Sequence, residues 1–330
     1  MRNGSVGIIA NPASGKDIRR LVAHGSTFDN NEKINIVRRV LLALDSLGVE
    51  QVWHMPDDYA IVPRATENLS LHLRIEPLPM PVLANPGDSY EAARRMADLP
   101  VECVVTLGGD GTNRVVAKGI GDVPMVAIST GTNNVFPRMI EGTIAGLAAG
   151  LIATSDTSRI AAVRRQPRLE VLLDGEPKDM ALIDAVTSRH AWIGARAIWD
   201  AAHIREIVLS RVAPAEIGMC GLGGLLFPGD VGEGKGVHVR LGDGGRPILA
   251  PIAPGLIKSI PIADAKLVSP GELVDLDASP CAVALDGERE FEILKPGHTL
   301  QVRLDPNGPN VVDVEAAISA GAAAGAFTPR

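Results

Sequence analysis

The chain has 330 residues, which is more than one hydrophobic core usually serves, so two domains are expected. Its 46% hydrophobic and 22% charged residues are typical of a globular protein, whereas a formal charge of −7 and 3% aromatic residues argue against a nucleic-acid partner. The three cysteines are widely spaced, which argues against a disulfide framework or a Cys-rich zinc site.

Strands and helices alternate through the first 150 residues. Unbroken runs of apolar β-formers predict strands, and a 3.6-residue apolar period predicts the helices between them. Asp88 or Ser89 is the predicted N-cap of the second helix. Alternation of this kind indicates a parallel sheet covered on both faces. The predicted strands cover 5–10, 50–55, 101–107 and 123–128, and the predicted helices cover 34–48, 89–99 and a segment from about 112.

The most hydrophobic stretch, at 143–154, is too short to span a bilayer. Its Gly146 and Gly150 fit a buried helix of a soluble core better than a membrane dimer motif. Because no signal peptide is predicted either, we expect a cytoplasmic protein with no membrane partner.

The pattern changes after about residue 160. Paired runs around Asp-Gly dipeptides predict antiparallel hairpins, and helix is expected only at 195–211 and near 314–324. The glycine runs at 221–224 and 232–236 are interpreted as loops. The predicted fold class is α/β, with two domains. These are a Rossmann-like parallel-sheet domain at 1–155 and a mainly antiparallel β domain at 156–330.

The sequence VVTLGGDGTNR, at 104–114, joins a predicted buried strand to a predicted helix through three glycines and one aspartate. Glycines let backbone N–H groups approach phosphate oxygens closely, and the following helix directs its positive end at the same anion. A tight turn capped by Asp110 is the alternative. The position at the carboxyl end of a parallel strand favours phosphate binding. Asp110 then suits a magnesium ligand or the acceptor of a hydroxyl proton.

Two other stretches place small polar residues after predicted strands, IIANPASGKD at 8–17 and AISTGTNNVFP at 127–137. The first is not a Walker A loop, because Ala10 stands where a glycine is needed and Asp17 follows the lysine. Three strand ends of this composition predict one common crevice.

Together, NPASGK, GGDGTNR and GTNN resemble the NAD kinase and diacylglycerol kinase superfamily over the first 140 residues. The longer stretch ANPASGKDIRRLVAHGS is particularly similar to the NAD kinase-like branch associated with acetoin catabolism. The resemblance implies an active site between an α/β domain and a β-rich domain, whose last segment returns to the first. It also implies transfer of a phosphoryl group from ATP to a hydroxyl with Mg²⁺, and a homo-oligomer.

Roles for individual residues follow from the same resemblance. Asp110 becomes the catalytic or magnesium-linked carboxylate. Asp184 would keep an acidic contact that NAD kinases make to the dinucleotide, whereas Ile183 takes the place of their asparagine and forms no hydrogen bond. The predicted acceptor is therefore NAD or a related metabolite. The residues expected to cradle phosphate or line the nucleotide side are Asn11, Ser14, Gly15, Lys16, Gly108, Gly109, Gly111, Thr112, Thr132 and Asn134.

Lipid kinases of the superfamily carry a late Asp-Gly-Glu that serves the acceptor hydroxyl, and Asp286 and Glu288 stand at a comparable position. The same tripeptide occurs at 174–176, and Asp-Gly is a common hairpin turn, so at least one copy is expected to be only a turn. The leading hypothesis is an ATP-dependent, magnesium-requiring small-molecule kinase. The alternatives are a nucleotide- or NAD-binding sensor without turnover and a diacylglycerol-type lipid kinase.

Overall fold

The computed structural model describes residues 4–15, 28–189, 203–229, 231–232 and 234–328. Its first part is a seven-stranded sheet in the order β3-β2-β1-β4-β5-β17-β6, in which only β17 and β6 are antiparallel neighbours. The central strands are buried at every position, which explains their unbroken apolar runs. The strands are β1 (Ser5–Ala10), β2 (Gln51–His54), β3 (Arg74–Pro77), β4 (Cys103–Gly108), β5 (Met125–Ser129), β6 (Val163–Arg165) and β17 (Asn310–Val312).

Helices cover both faces of this sheet. Adjacent residues of β1 belong to different cores: Ile8 packs with the first and fifth helices, and Ile9 packs with the third and fourth. This division follows from the two-residue period of a strand. The helices are α1 (Asn30–Ser46), α2 (Ile61–Thr66), α3 (Pro86–Asp98), α4 (Asp110–Gly119), α5 (Gly142–Thr154), α6 (Asp156–Ala162) and α8 (Val314–Ala323).

The second part consists of two antiparallel sheets, so the predicted fold class is confirmed. The strands of the six-stranded sheet, in spatial order, are β12 (Leu256–Val268), β11 (Gly236–Ala253), β10 (Ile204–Leu209), β9 (Asp184–Ser188), β14 (Cys281–Leu285) and β15 (Glu288–Ile293). The strands of the four-stranded sheet are β13 (Leu273–Leu276), β16 (Leu300–Asp305), β7 (Arg168–Leu173) and β8 (Glu176–Ala181).

The last described segment lies against the first part. β17 pairs with β5, and α8 packs on α5 and α6. Val312 and Ala317 belong to the same core as Ile8.

Four local predictions were wrong. The N-cap of α3 is Asn85, whose side chain accepts from the Gly87 N–H, so Asp88 lies in the first turn of the helix and is not its cap. Of the predicted helix at 195–211, residues 195–202 lie outside the described residues, and residues 204–209 form β10, because pairing with β9 and β11 overrides the helical apolar period. The glycine run at 221–224 lies in α7 (Met219–Leu226), where close packing against the preceding loop excludes side chains. The Asp-Gly at 243–244 is an irregularity within β11 and not a hairpin turn.

The glycines of α5 serve helix packing. A Cβ on Gly146 would lie 2.7 Å from the carbonyl oxygen of Val40 and 2.9 Å from its Cα, so the backbones of α1 and α5 touch here. Among the described residues, no helix combines the length and apolarity that crossing a membrane requires.

The substitution Gly146→Ala is expected to lower the free energy of unfolding by about 1–3 kcal/mol, because the added methyl meets backbone atoms that cannot rotate away. Helix propensity alone would raise the free energy of unfolding by about 1 kcal/mol, so the sign of the measured change shows whether packing or propensity dominates. Urea unfolding followed by circular dichroism measures the change. Ile144→Ala, at an exposed position of α5, is the control, and equal or greater stability of the Gly146 variant would contradict close packing.

Candidate active site

A cavity of about 610 Å³ lies beyond the carboxyl ends of β1, β4 and β5, and we call it the large cavity. It receives residues from the first part of the fold and from the β14–β15 turn and the β11–β12 turn of the second. The crevice predicted from three strand ends is therefore present. The residues of those strand ends that line it are Asn11, Pro12, Ala13, Ser14, Gly15, Gly109, Asp110, Gly111, Thr112, Thr130, Asn133 and Asn134.

The β1 loop, residues 11–15, is tied to the neighbouring strand ends. Asn11 donates from Nδ2 to the Thr112 hydroxyl at 2.9 Å, and its backbone N–H donates to the Leu107 carbonyl at 3.1 Å. The hydroxyls of Ser14 and Thr130 are 3.0 Å apart and hydrogen-bonded. The loop is thus held in place by polar side chains that also line the large cavity. Lys16 lies outside the described residues.

Lys33 of α1 supports the β1 loop from below, and the sequence analysis did not single it out. Its side chain is fully buried, and Nζ donates to the carbonyls of Asn11 at 2.9 Å and Ser14 at 2.6 Å. Two more bonds run to the Pro12 carbonyl at 3.3 Å and to the side chain of Asn30 at 3.0 Å. A buried ammonium fixed by oxygens in this way places a positive charge directly beneath the loop.

The glycines after β4 permit close packing at the start of α4. A Cβ on Gly108 would lie 2.5 Å from Cβ of Thr112, and a Cβ on Gly109 would lie 2.8 Å from Oδ1 of Asn134. Gly108 itself lies beneath Thr112 and is not part of the lining. The helix begins at Asp110, so its first N–H groups and positive dipole end lie at the large cavity.

Asp110 is held by the loop after β5. Its Oδ1 accepts from the backbone N–H of Val135 at 3.0 Å and of Phe136 at 2.8 Å, and Oδ2 accepts from Val135 at 3.1 Å. Asn134 lines the same wall and donates to the Ser129 hydroxyl at 2.8 Å. Thr132 is exposed and lies outside the lining of the large cavity.

The two Asp-Gly-Glu copies have nearly the same backbone and different surroundings. φ is 55° and 82° at Asp174 and Gly175, and 52° and 78° at Asp286 and Gly287, so both are hairpin turns with two left-handed residues. Asp174 is exposed and bonded to the His298 ring at 2.8 Å. The late copy lies at the cavity instead, where a Cβ on Gly111 would be 2.9 Å from the Glu288 carboxylate.

The Asp286 carboxylate is completely buried. Its Oδ1 accepts from the backbone N–H of Ile183 at 2.7 Å and of Asp184 at 3.2 Å, and its Oδ2 accepts from Leu182 at 2.9 Å. Burial raises the pKa of Asp286, and the guanidinium of Arg114 together with these amides opposes the rise. Asp286 therefore organises the start of β9 as well as lining the cavity.

Arg114 of α4 joins the two parts of the fold, and the sequence analysis missed it. It is 2% exposed, with Nε 3.6 Å from Asp286 and Nη1 3.6 Å from Asp179, while Nη2 bonds Glu290. Burial lowers the pKa of Arg114, but the three carboxylates outweigh it and raise the pKa. The guanidinium thus stays charged and connects α4 to β8 and to the β14–β15 hairpin.

A second cavity of about 70 Å³, the small cavity, adjoins the large one. Asp110, Asn133 and Asp286 line both, so the two spaces meet at these three residues, although the Asp286 carboxylate itself has no exposed surface. Asp184 and Ile183 line the small cavity only. Asn133 was not among the predicted site residues, although it stands in the predicted strand-end loop.

The large cavity is acidic. Among the lining residues that the structure describes, none is a lysine or arginine. No group of three or more metal-ligating His, Cys, Asp or Glu side chains occurs in the described ranges. The acidic residues that line it are Asp57, Asp58, Asp88, Asp110, Asp286 and Glu288, of which Asp286 has a fully buried carboxylate.

Two family models match the chain. The ATP-NAD kinase N-terminal domain matches residues 6–155, and the C-terminal domain of acetoin catabolism protein X matches residues 167–307. Acetoin catabolism protein X from Cupriavidus necator is 38% identical over 325 residues, which cover 94% of this chain and 90% of the relative. The chain belongs to the acetoin catabolism protein X family. This confirms the resemblance of the sequence to the NAD kinase-like branch associated with acetoin catabolism.

Solved structures of a proposed diacylglycerol kinase from Bacillus anthracis str. Sterne also overlap this member of the acetoin catabolism protein X family. Two of them superpose with TM-scores of 0.46 and 0.43 at 14% and 13% identity. They cover 94% of this chain in both cases, and 96% and 98% of their own chains.

Replacing Arg114 by methionine should destabilise this family member by about 3–5 kcal/mol, since three carboxylates would lose their buried partner. Arg240→Met is the matched control, because Arg240 and Asp264 form an exposed pair at 3.4 Å that is worth about 0–1 kcal/mol. Urea unfolding of both variants measures the difference. A loss at Arg114 no greater than that at Arg240 would show that the buried network does not hold the two parts together.

Proposed function

We propose that the protein is a kinase that transfers a phosphoryl group from a nucleoside triphosphate, ATP by family analogy, to a hydroxyl of a small molecule. The observation that carries the proposal is that a nucleotide-sized cavity and a small cavity are both lined by Asp110, whose carboxylate is held by the loop after β5. A donor and an acceptor in these two spaces would both face a group able to accept a proton. The match to the ATP-NAD kinase N-terminal domain supports the same reaction class.

The residues at the strand ends fit a triphosphate. Gly109 and Gly111 leave no room for side chains beside Asn134 and Glu288, so phosphate oxygens would meet bare backbone N–H groups. The start of α4 adds its dipole, and the Lys33 ammonium beneath the β1 loop adds a full charge. The volume of about 610 Å³ lies within the range of cavities that hold ligands of this size.

The acidic residues that line the large cavity favour a nucleotide that arrives as its Mg²⁺ complex, because their carboxylates would repel a bare triphosphate. Magnesium is commonly held by one or two carboxylates together with substrate phosphates and water, so no preformed cluster is needed. Glu288 is the residue proposed to hold it. The ion would neutralise charge on the phosphate oxygens during transfer.

Asp110 is the residue proposed to accept the proton of the attacking hydroxyl. Three hydrogen bonds from Val135 and Phe136 fix its orientation toward the junction of the cavities. Asp286, whose oxygens are occupied by backbone amides, is proposed to align this junction and to act on the acceptor side. NAD or a related metabolite is the proposed acceptor on family grounds, with Asp184 lining its cavity.

The substitution Asp110→Asn should lower the rate of product formation at least 100-fold, because the amide cannot take up the proton. The asparagine oxygen can still accept from Val135 and Phe136, so the fold should be retained. Product analysis by mass spectrometry with ATP, Mg²⁺ and NAD or other alcohols measures the change. Asp174→Asn, in the exposed twin turn, is the matched control.

If the Asp110→Asn variant kept the wild-type turnover, Asp110 would not be the base. A wild-type protein that binds nucleotide tightly but releases no ADP with any acceptor would instead be a sensor.

The twin turns offer a second, binding-based test. Glu288→Gln should weaken the apparent affinity for Mg²⁺ in the presence of a non-hydrolysable ATP analogue at least ~10-fold, because a proposed ligand loses its charge. Glu176→Gln, the equivalent change in the exposed turn, should leave it unchanged. Isothermal titration of magnesium into both variants gives the comparison. Equal affinities would exclude Glu288 from the metal site.

A further inference from the structure

The large cavity extends along the carboxyl ends of five parallel strands, and its two ends differ in composition. The sheet order β3-β2-β1-β4-β5 places the segments after β2 and β3 on the side away from Asp110, which follows β4. We call the part that these segments line, within residues 55–59 and 82–89, the β2–β3 end. The aliphatic and aromatic residues that line it are Met55, Pro56, Tyr59, Val82, Ala84 and Pro86.

Most polar residues of the β2–β3 end hold their own segments in place. The Asp57 carboxylate accepts from the backbone N–H of Tyr59 at 2.8 Å and of Ile61 at 3.1 Å, and Asp88 accepts from that of Leu83 at 3.0 Å. Asn85 and Ser89 are likewise bonded to neighbours, namely the Gly87 N–H and the Met55 sulfur. The remaining polar residue that lines this end, Asp58, is exposed.

Charge determines how a nucleotide is oriented between the two ends. Asp57, Asp58 and Asp88 disfavour phosphate at the β2–β3 end, whereas the other end has the start of α4 and the Lys33 ammonium beneath the β1 loop. A nucleotide whose triphosphate lies beyond β1 and β4 therefore directs its nucleoside toward β2 and β3. Strands spaced about 4.8 Å apart place β3 about 14 Å from β4, a distance that a triphosphate and a ribose can span.

Tyr59 offers a ring on which a base can stack. It is 46% exposed, and it is the only aromatic residue among the lining residues that the structure describes. The backbone is left-handed directly after it, with φ 50° at Ala60, and again in the second segment, with φ 53° at Ala84. Alanine adopts this conformation at a cost, and strained residues of this kind cluster at ligand-binding sites. Both segments of the β2–β3 end thus hold a conformation that the sequence alone does not favour.

We infer that the aromatic base of the donor nucleotide occupies the β2–β3 end of the large cavity and stacks on Tyr59; the inference rests on the proposed kinase function. The ring of Tyr59 covers one face of the base, and the side chains of Met55 and Val82 line the same space. Tyr59 is then a specificity-determining residue, because it distinguishes a nucleoside triphosphate from a bare polyphosphate.

The test is isothermal titration of the full chain with a non-hydrolysable ATP analogue, with tripolyphosphate and with NAD, each in the presence of Mg²⁺. Tripolyphosphate carries the phosphates without the base, so it reports on the other end of the large cavity. Tyr59→Ala should weaken the affinity for the analogue at least ~10-fold, because the stacking contact is lost. The affinities for tripolyphosphate and NAD should stay unchanged.

The two tyrosines of the chain provide a matched control. Tyr90 is 41% exposed on α3 and lies outside both cavities, so Tyr90→Ala should leave all three affinities unchanged. Tyr59→Phe keeps the ring and should bind the analogue as the wild type does.

The outcomes separate the inference from the proposed function. If Tyr59→Ala bound the analogue as tightly as the wild type, the inference would be overturned and the kinase proposal would stand. Equal losses for the analogue and tripolyphosphate would also overturn it, because stacking affects only the base. A loss for NAD without a loss for the analogue would assign the stacked base to the acceptor instead. A wild-type chain that binds neither the analogue nor tripolyphosphate would overturn the proposed function, and the inference with it.

Discussion

One buried guanidinium determines how the two parts of the molecule meet. Arg114 sits on α4, directly after the glycine-rich turn, and its three carboxylate partners all belong to the antiparallel part. A desolvated cation is stable only with such partners, and without it the fully buried Asp286 carboxylate would lose its counter-charge, whereas Asp179 would keep its pair with Lys118. The start of α4, the β14–β15 turn and the first residues of β9 are therefore positioned relative to one another by a single charge network, and both cavities lie between these elements.

The local parts of this arrangement could be predicted from sequence. The unbroken runs of β1 and β4 predict buried parallel strands, since both faces of such strands must be apolar. The glycines around Asp110 predict a close backbone approach, and the structure places Asp110 at the cavity. Both inferences depend on residues within about ten positions of each other, where chain geometry leaves few alternatives.

The parts that depend on distant residues could not be predicted. Arg114 and Glu290 are separated by 176 positions, and no periodicity connects them. Lys33 stands just before an apolar helical run, and the sequence predicts that it is solvated, because a lysine is rarely buried unless it is paired. In the structure it is fully buried. Residues 204–209 have a helical period but become a strand between two others. In each case the structure is decided by an interaction with residues distant in sequence, which a local sequence pattern cannot predict.

The left-handed backbone of Asp286 affects how mutational data on this family should be interpreted. At φ 52°, most side chains strain the backbone, whereas asparagine and glycine adopt the conformation readily. An alanine scan would therefore combine the loss of a carboxylate with the distortion of a hairpin, and it would exaggerate the chemical importance of this position. The substitution Asp286→Asn removes the charge and keeps the left-handed backbone. Asp174 has the same conformation, so an alanine change there calibrates the distortion, together with the loss of its bonds to His298 and Thr299, at a site remote from both cavities.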